Sequence, residues 1–433
     1  MNSIIPSKES KIGIEVYGTK TQGIGGVIKQ KIEDFYVEEI TNRTEGDKGN
    51  YIILELTKGN WDTHHLIREM SRILKVSKNR FKFAGTKDKR GITKQKISIW
   101  KATREDIAKI NLSDLKLKVI GYSNKQIGLG DLWGNKFKIV IRNIDLSISA
   151  TKERIESITQ QIKENGIPNF FGVQRFGTTR PITHLVGEAI VHKDFERAAL
   201  TYIALPCKKE SEEARNAREY VWNTQDFKNG LKKFPISLRY ERAMLNHLIE
   251  NPKDYIGAFK VLSPNLRKMF VHAYQSYIFN KILSMRIKNN LPLNKALEGD
   301  VVCFKNKIGL PDVSRTQKVT RDTIDGINNL INKGRSYVTA PIVGYETQIL
   351  KGKIGEIEGK VLKELKVNPS DFYIPQMPEL SSKGLRREIL LKVHPIYKVD
   401  FDDLNLGKTK VTLEFFLPKG CYATTVLREY IKG

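Results

Sequence analysis

The sequence predicts an α+β protein in which a strand-rich domain is interrupted by a largely helical α/β insertion. Two patterns predict this class: alternating apolar residues mark both ends of the chain, and helical spacing prevails from about Pro181 to Ser381. The length of 433 residues is the third observation, because it exceeds one ordinary core and favours two or three domains. The two strand-rich ends are therefore expected to form one domain around the insertion.

The N-terminal part contains a strand followed by a helix. Residues 51–57, YIILELT, are rich in β-branched and aromatic side chains and predict a strand. Asp62 or Thr63 can cap the helix that follows, because a short oxygen-bearing side chain accepts a bond from a first-turn N–H. One apolar stripe at helical spacing marks this helix: Leu66, Ile67, Met70, Ile73 and Leu74.

Three further strands are predicted in the same part of the chain. Residues 82–84 predict a short strand that leads into the loop 85–91. The segment KQKISIWK resumes the strand pattern, with Ile97 and Ile99 on one face. Residues 135–142 alternate in the same way, which predicts another half-buried strand.

Helices dominate the chain beyond these strands. Residues 151–165 predict a polar helix that ends at Gly166 and Pro168. The strongest helix of the middle part begins at Ser263 and Pro264, a cap followed by a first-turn proline. One side of it carries large apolar residues: Leu266, Phe270, Tyr274, Tyr277 and Ile278. We interpret this side as facing a core, with a platform for base stacking as the alternative.

The C-terminal part returns to a strand pattern. Val411, Leu413 and Phe415 alternate before a turn at residues 418–420. A short amphipathic helix at residues 424–431 follows this turn. These elements complete the second strand-rich end of the predicted domain.

The charge balance favours a polyanionic partner. Lys and Arg number 74 against 48 Asp and Glu, so the net charge is +26. A nucleic acid that docks on such a surface releases counterions, whereas the alternative is a solvated lysine-rich surface. Basic residues crowd residues 75–101 and 383–392 within folded patterns, without a helix-turn-helix or zinc-finger signature. A nucleic acid would therefore be recognised by its shape or as single-stranded nucleotides.

Several classes of protein do not fit the sequence. No segment approaches the about 18 consecutive apolar residues of a membrane span, and the first residues lack a secretory pattern. Cys207, Cys303 and Cys421 lie too far apart for a disulfide framework or a zinc knuckle. We therefore expect a soluble protein of a reducing compartment.

Motifs for metals and cofactors are also missing. His64 and His65 are adjacent, and neighbouring residues on a helix point about 100° apart, so they would not share a tetrahedral ion. The glycine cluster at residues 23–27 lacks the preceding strand and following helix of a dinucleotide or methyl-donor loop. The sequence therefore predicts neither a metal nor an organic cofactor.

The loop at residues 85–91 is the most informative segment for chemistry. Asp88 stands between Lys87 and the pair Lys89-Arg90, with a glycine at each end of the loop. Nearby cations favour the charged carboxylate, and the same cations would attract a phosphate backbone. A carboxylate among these cations would repel the phosphate backbone that they attract. We interpret this unfavourable charge as that of a group needed for catalysis. The alternative is a plain turn aspartate, because Asp and Gly both favour turns.

Residues 168–177, PNFFGVQRFG, form the second informative segment. Three phenylalanines occur here together with an asparagine, a glutamine and an arginine. Aromatic rings stack on extruded bases, while amides and arginine contact base edges and phosphates. The segment fits contacts with unpaired nucleotides, with a core strand that has a polar edge as the alternative.

Six ordered blocks lie across nearly the whole chain: residues 28–29 with 33–39, 85–95, 134–137, 168–177, 273–280 and 417–429. Together they resemble the TruD family of tRNA pseudouridine synthases, in its archaeal form with a long insertion. Two positions depart from the family pattern: Gly91 replaces a common alanine, and Phe170 replaces a tyrosine. Neither position carries an assigned chemical role.

The resemblance implies a pseudouridine synthase catalytic domain with a mixed or antiparallel sheet, formed by residues 1–179 and 385–433. It implies a TRUD domain inserted at residues 180–384. The implied reaction is isomerisation of uridine 13 in tRNA to pseudouridine, without a metal or cofactor. tRNA is the implied partner, expected in a basic cleft between the two domains. We expect a cytoplasmic monomer that binds no membrane.

The resemblance also assigns site residues. Asp88 is expected to attack the ribose of the target uridine or to abstract a proton from it, with Lys29 as its counter-charge. Phe171 is expected to stack on the flipped uracil, and Asn169 to hydrogen-bond the catalytic loop or the base edge. Three more residues are expected to support the site or contact the substrate: Lys87, Arg175 and Gln95.

Two other classes of function use some of the same features. A non-catalytic RNA-binding protein or tRNA chaperone would use the charge and the aromatic residues, but it has no need of Asp88. A methyltransferase would need a methyl-donor loop, which residues 23–27 do not supply in context. The outcome of replacing Asp88 separates catalysis from chaperone activity.

Overall fold

The computed structural model describes residues 5–432 and divides into two compact units. The first unit contains residues 18–167 and the chain from residue 392 onward, and the second contains residues 5–17 and 168–391. The predicted insertion, residues 180–384, falls inside the second unit, and its boundaries stay a prediction.

Strands concentrate towards the two ends of the described chain and helices in its middle. The strands are β1 (Val27–Ile28), β2 (Phe35–Thr41), β3 (Tyr51–Gly59), β4 (Phe81–Phe83), β5 (Ile92–Trp100), β6 (Leu115–Ser123), β7 (Leu132–Ile144), β8 (Ile167–Pro168), β9 (Val301–Lys305), β10 (Pro311–Lys318), β11 (Ser336–Ile342), β12 (Leu385–Glu388), β13 (Leu390–Leu391), β14 (Ile396–Phe401) and β15 (Thr409–Pro418). The helices are α1 (Ser7–Ser10), α2 (Thr63–Ile73), α3 (Arg104–Ala108), α4 (Ile148–Asn165), α5 (Thr183–Val191), α6 (Phe195–Ala204), α7 (Glu212–Thr224), α8 (Phe227–Lys233), α9 (Arg239–Glu250), α10 (Tyr255–Lys260), α11 (Pro264–Lys288), α12 (Ile324–Asn332), α13 (Gly352–Glu364) and α14 (Ala423–Ile431). This arrangement confirms the predicted α+β class.

A nine-stranded sheet organises the described part of the first unit. Its order is β14-β15-β7-β2-β5-β3-β6, with β1 added to β7 and β4 added to β5. Its pairs are antiparallel except β2 with β5, which run in parallel. The sheet is therefore mixed and mainly antiparallel.

Register places one face of this sheet under the predicted catalytic loop. Thr93 of β5 lies opposite Val37 of β2 and opposite Lys58 of β3. Because side chains alternate along a strand, Glu39 and Gln95 lie on the same face. Further along this face the sheet is covered by α2, with a core that contains Ile97, Ile99, Leu66 and Met70.

The N-terminus of α2 is close to the predicted one. Asp62 is the N-cap, and its carboxylate accepts a hydrogen bond of 2.8 Å from the backbone N–H of His65. This bond satisfies one of the N–H groups that a helix leaves unpaired at its start. The structure thereby confirms the first of the two predicted caps.

A hydrophobic core built around α11 holds the second unit together. Ser263 caps this helix and Pro264 is its first residue, as predicted. Phe270, Tyr274 and Ile278 are almost fully buried. The aromatic side of α11 therefore packs in the core, which confirms that interpretation and leaves no stacking platform at these three residues.

The second unit also contains a four-stranded antiparallel sheet, in the order β10-β9-β11-β12. It lies in a stretch where the sequence indicates mainly helices. β9 is a short apolar run that periodicity cannot distinguish from a buried helix, and β10 is mostly exposed and polar. These strands therefore lack a local sequence signal.

Residues 5–17 pack within the second unit. Ile12 and Ile14 are buried in its core, and Glu15 pairs with Lys281 at 2.5 Å. Within residues 5–432, no helix is both long and apolar enough to cross a membrane.

Candidate active site

The loop between β4 and β5 carries the predicted catalytic aspartate. The Nζ atom of Lys29 lies 2.7 Å from Oδ2 of Asp88, and the two side chains are 25% and 44% exposed. The carboxylate is thus held by one ammonium group while part of it stays accessible. Such an ion pair orients a carboxylate for attack or for proton abstraction.

Lys29 reaches Asp88 from an uncommon backbone conformation. It follows β1 with φ of 62°, in the left-handed region that non-glycine residues rarely adopt. Its Nζ atom also lies 3.9 Å from the ring centroid of Phe35. The turn after Lys29 is fixed by Asp34, which accepts from the Lys31 N–H at 2.7 Å and from Arg142 at 2.8 Å. Local strain of this kind persists where surrounding contacts determine the conformation.

Lys87 and Gln95 attach the loop to the sheet. The Nζ atom of Lys87 lies 2.7 Å from Oε2 of Glu39, and both groups are nearly buried. The backbone N–H of Lys87 donates to Oγ1 of Thr63 at 3.3 Å. Gln95 donates from Nε2 to the carbonyl oxygen of Gly85, also at 3.3 Å. Lys87 therefore ties the loop to β2, and Gln95 supports it from β5.

Lys58 contributes a further contact that the sequence does not indicate. Its side chain is fully buried, and its ammonium donates to the carbonyl oxygens of Trp61 at 2.6 Å and Asp88 at 3.1 Å. Burial lowers the pKa of Lys58 to about 8, although the nearby charges of Asp62 and Asp88 act in the opposite direction. A lysine at a strand end is typical of a solvated surface, so no sequence signal marks it.

Gly91 lets the loop return to β5 beside β2. Its φ is 155°, and a Cβ atom at this position would lie 2.6 Å from the carbonyl oxygen of Phe35. Gly85, at the other end of the loop, has no heavy atom within 4 Å of such a Cβ position. Of these two glycines, only Gly91 therefore lies where a side chain would clash with the backbone of β2.

Asn169 is tied to the β12 segment of the second unit. Its Nδ2 donates to Oε1 of Glu388 at 2.9 Å and to the Glu388 carbonyl at 3.1 Å. Its Oδ1 accepts from a guanidinium N–H of Arg387 at 2.8 Å. The amide is buried and fixed in orientation, and its predicted bond to the catalytic loop or the base edge stays a prediction.

Phe171 is half-buried and is held at both its backbone and its ring. Its N–H donates to Oδ1 of Asn280 at 2.9 Å, and Nδ2 of Asn280 donates to its carbonyl at 3.0 Å. The guanidinium carbon of Arg387 lies 4.3 Å from the ring centroid, and the Phe279 ring packs edge-on at 5.5 Å. Arg175 is near the same ring, at 5.7 Å, and donates to Ser276 at 3.2 Å.

The predicted residues thus form two groups, each described within its own unit. Lys29, Lys87, Asp88 and Gln95 come together in the first unit. Asn169, Phe171 and Arg175 come together in the second unit. The sequence missed three residues at these places: Lys58, Asn280 and Arg387. The last two lie in segments that it had marked, residues 273–280 and the basic stretch 383–392.

The described residues offer no metal-binding cluster. Between residues 5 and 432, no three His, Cys, Asp or Glu side chains gather in an arrangement that could hold an ion. Around Asp88 the charged partners are ammonium groups, which would repel a cation. The ammonium groups around this loop therefore fit an anionic partner better than a metal ion.

Comparisons with known proteins identify a consistent set of relatives. The family model for tRNA pseudouridine synthase D (TruD) matches residues 11–430. A probable tRNA pseudouridine synthase D of Methanosarcina mazei is 56% identical over 99% of this chain and 98% of that protein. Proteins of the same name from Methanococcoides burtonii and Archaeoglobus fulgidus are 56% and 41% identical, over 100% and 98% of this chain and 98% and 99% of their own lengths.

A solved structure is similar over the same span. It is the crystal structure of a putative tRNA pseudouridine synthase D from Methanosarcina mazei, with a TM-score of 0.89 and 56% identity. The match covers 99% of this chain and 98% of that one. Sequence and fold therefore point to the same group of proteins.

Proposed function

The chain belongs to the TruD family of tRNA pseudouridine synthases, and we propose that it isomerises uridine 13 of tRNA with Asp88 as its catalytic carboxylate. Family membership makes it an isomerase that acts on tRNA. It therefore excludes the methyltransferase alternative. The observation that carries the proposed role of Asp88 is its 2.7 Å ion pair with Lys29, in a loop held by buried donors.

The chemistry fits a partly accessible carboxylate. Pseudouridine forms when the C–N glycosidic bond breaks, the uracil turns, and C5 bonds to C1′. Asp88 attacks the ribose or abstracts a proton from it, and either role needs an ionised carboxylate. Lys29 supplies the counter-charge that orients it. The C5 proton is released to solvent and N1 takes up a proton, so the product is an isomer of the substrate and the reaction consumes neither water nor a second substrate.

The second group of residues would hold the flipped base. A target base must leave its stack before an enzyme can reach C1′ and C5. Phe171 is the proposed stacking residue, which would supply about 1–3 kcal/mol by the range measured for base–aromatic contacts. Asn169 would contact the base edge or the catalytic loop, and Arg175 a phosphate. The predicted cleft for tRNA between the two domains, the monomeric state and the cytoplasmic location remain parts of this proposal.

Tritium release tests the role of Asp88. tRNA labelled at C5 of uridine loses tritium when pseudouridine forms, so the rate of release measures turnover. We expect Asp88→Ala to abolish release, while the matched variant Asp47→Ala, which removes another exposed aspartate, keeps the wild-type rate. Turnover of Asp88→Ala at the wild-type rate would contradict the assignment. Binding of tRNA without turnover by either the wild type or the variant would favour the chaperone alternative.

A further inference from the structure

Lys58 is a buried cation whose hydrogen-bond partners are two backbone carbonyl groups. It lies at the end of β3, has no exposed surface, and forms no ion pair with a carboxylate in the described part of the chain. A buried ammonium without a carboxylate costs free energy, which the lowered pKa of about 8 expresses. Such a cost calls for a specific role.

The two carbonyl groups belong to different segments. The Trp61 carbonyl lies directly before the N-cap of α2, and the other carbonyl is that of Asp88 itself. One ammonium therefore joins the β3–α2 connection to the loop at the residue that carries the proposed catalytic carboxylate. The bond from the Lys87 N–H to Thr63 joins the same two segments one residue earlier.

We propose that Lys58 is a positioning residue of the reaction, which fixes the backbone of Asp88 so that its carboxylate meets both Lys29 and the ribose. This inference rests on the proposed role of Asp88. The Lys29–Asp88 contact depends on where the loop backbone lies at residue 88. A displacement of about 1 Å at a reacting group can cost roughly 100-fold in rate. The ammonium of Lys58 thus acts through Asp88 and not on the substrate.

A half-buried lysine elsewhere in the chain provides a matched control. The ammonium of Lys432 donates to the carbonyl oxygens of Thr19 at 2.7 Å and Thr21 at 2.6 Å, and burial lowers its pKa to about 8 as well. Its acceptors lie in residues 19–21, not in the loop 85–91. Removal of either ammonium is therefore expected to lower stability, but only one removal is expected to affect the chemical step.

The test compares Lys58→Met with Lys432→Met, because methionine keeps much of the volume and removes the charge and the donors. We expect kcat for pseudouridine formation to fall at least about tenfold in Lys58→Met, with KM and the Kd for tRNA within about twofold of wild type. Lys432→Met is expected to keep the wild-type kcat. An unchanged kcat in folded Lys58→Met, or equal losses of kcat in both variants, would overturn the inference.

Two additions keep the test decisive. If Lys58→Met does not fold, Lys58→Gln replaces it, with the same expected fall in kcat at constant KM and the same overturning result. A double-mutant cycle with Lys29→Met measures coupling: the combined loss in kcat is expected to be smaller than the product of the single losses, because both changes misplace Asp88. A combined loss in kcat equal to the product of the two single losses would contradict the inference. An active Asp88→Ala variant would instead contradict the proposed function itself.

Discussion

At the scale of single residues, the site depends on one lysine in an uncommon conformation. Lys29 adopts φ of 62° and directs its ammonium to Asp88, while its Nζ atom packs over Phe35. The side chain of Asp88 is 44% exposed, so solvent screens the attraction and the main effect of Lys29 is orientation. Lys29 is thus expected to matter more for the rate than for stability.

Lys29→Met is expected to lower kcat about 10- to 100-fold with little change in KM, because the carboxylate loses the group that orients it. Lys31→Met is the matched control. It removes the same charge two residues away, where the side chain faces Asp403 at 3.8 Å. Tritium release under saturating tRNA measures both variants. Equal kcat values for the two variants would contradict the role of Lys29.

Sequence alone predicts part of this residue-level arrangement. Asp88 stands out because an anion among cations invites a chemical explanation, and resemblance to a family adds Lys29. Lys58 could not be predicted, because nothing in its neighbours tells a buried lysine from a solvated one. Lys87 was predicted to be near the site, but its pairing with buried Glu39 follows from strand register and not from local spacing.

At the scale of elements, the path of the loop 85–91 is set where it joins β5. Gly91 combines φ of 155° with a close approach to the Phe35 carbonyl, so a Cβ atom here would force the loop or β2 to shift. β2 begins at Phe35, whose ring also packs against Lys29. A shift of the backbone at Gly91 would therefore also displace Lys29 relative to Asp88.

Gly91→Ala is expected to destabilise the protein by about 1–3 kcal/mol and to reduce turnover, because the new Cβ must displace the loop or β2. Gly85→Ala, at the other end of the same loop, has open space and is expected to be tolerated. Thermal unfolding and tritium release measure the two effects. If both variants are equally stable and active, the described path of the loop is wrong.

A second element-scale feature joins the end of β7 to the loop between β14 and β15. Asp402 is buried and accepts from Arg142 at 2.8 Å and from the Asn143 N–H at 2.9 Å. Burial by itself would raise the pKa of the Asp402 carboxyl, but these bonds, with those from Asn405 and the Leu404 N–H, hold the pKa far below its usual value.

This shift predicts how stability depends on pH. The folded pKa of Asp402 lies below that of an unfolded aspartate, about 3.9, so its contribution is complete at neutral pH and is lost as the pH falls below about 4. Asp402→Asn is expected to lower the free energy of unfolding by about 3 kcal/mol at pH 7 and by less at pH 3. Urea unfolding at both pH values measures the difference. A loss that is equal at the two values would refute the linkage.

The elements themselves differ in how well the sequence predicts them. α2 and α11 carry both a cap and an apolar stripe, and both were predicted at their N-termini. β9 and β10 were not predicted, because one is a short apolar run and the other is polar on both faces. Pairing with distant strands stabilises them, and such pairing leaves no local pattern.

At the scale of the whole molecule, the net charge of +26 is the property most relevant to a tRNA substrate. Binding of a polyanion releases counterions, so affinity depends steeply on salt. The charge was evident from composition. The grouping of residues 5–17 with the second unit was not, because it depends on the burial of Ile12 and Ile14 in a distant core.

The affinity for tRNA is expected to fall at least about tenfold between 50 and 200 mM salt, because lysine and arginine side chains neutralise phosphates. The value of kcat at saturating tRNA is expected to change little over the same range, since the chemical step occurs after binding. Filter binding and tritium release measure the two quantities. An affinity that does not change with salt would contradict a phosphate-dominated interface.

The most direct measurement of the central claim maps pseudouridine in unmodified tRNA after incubation with wild-type protein and with Asp88→Ala. Carbodiimide treatment converts each pseudouridine into a stop for reverse transcription. We expect the stop that reports position 13 with the wild type and its absence with the variant. The same stop with Asp88→Ala, or its absence with the wild type, would contradict isomerisation of uridine 13 by Asp88.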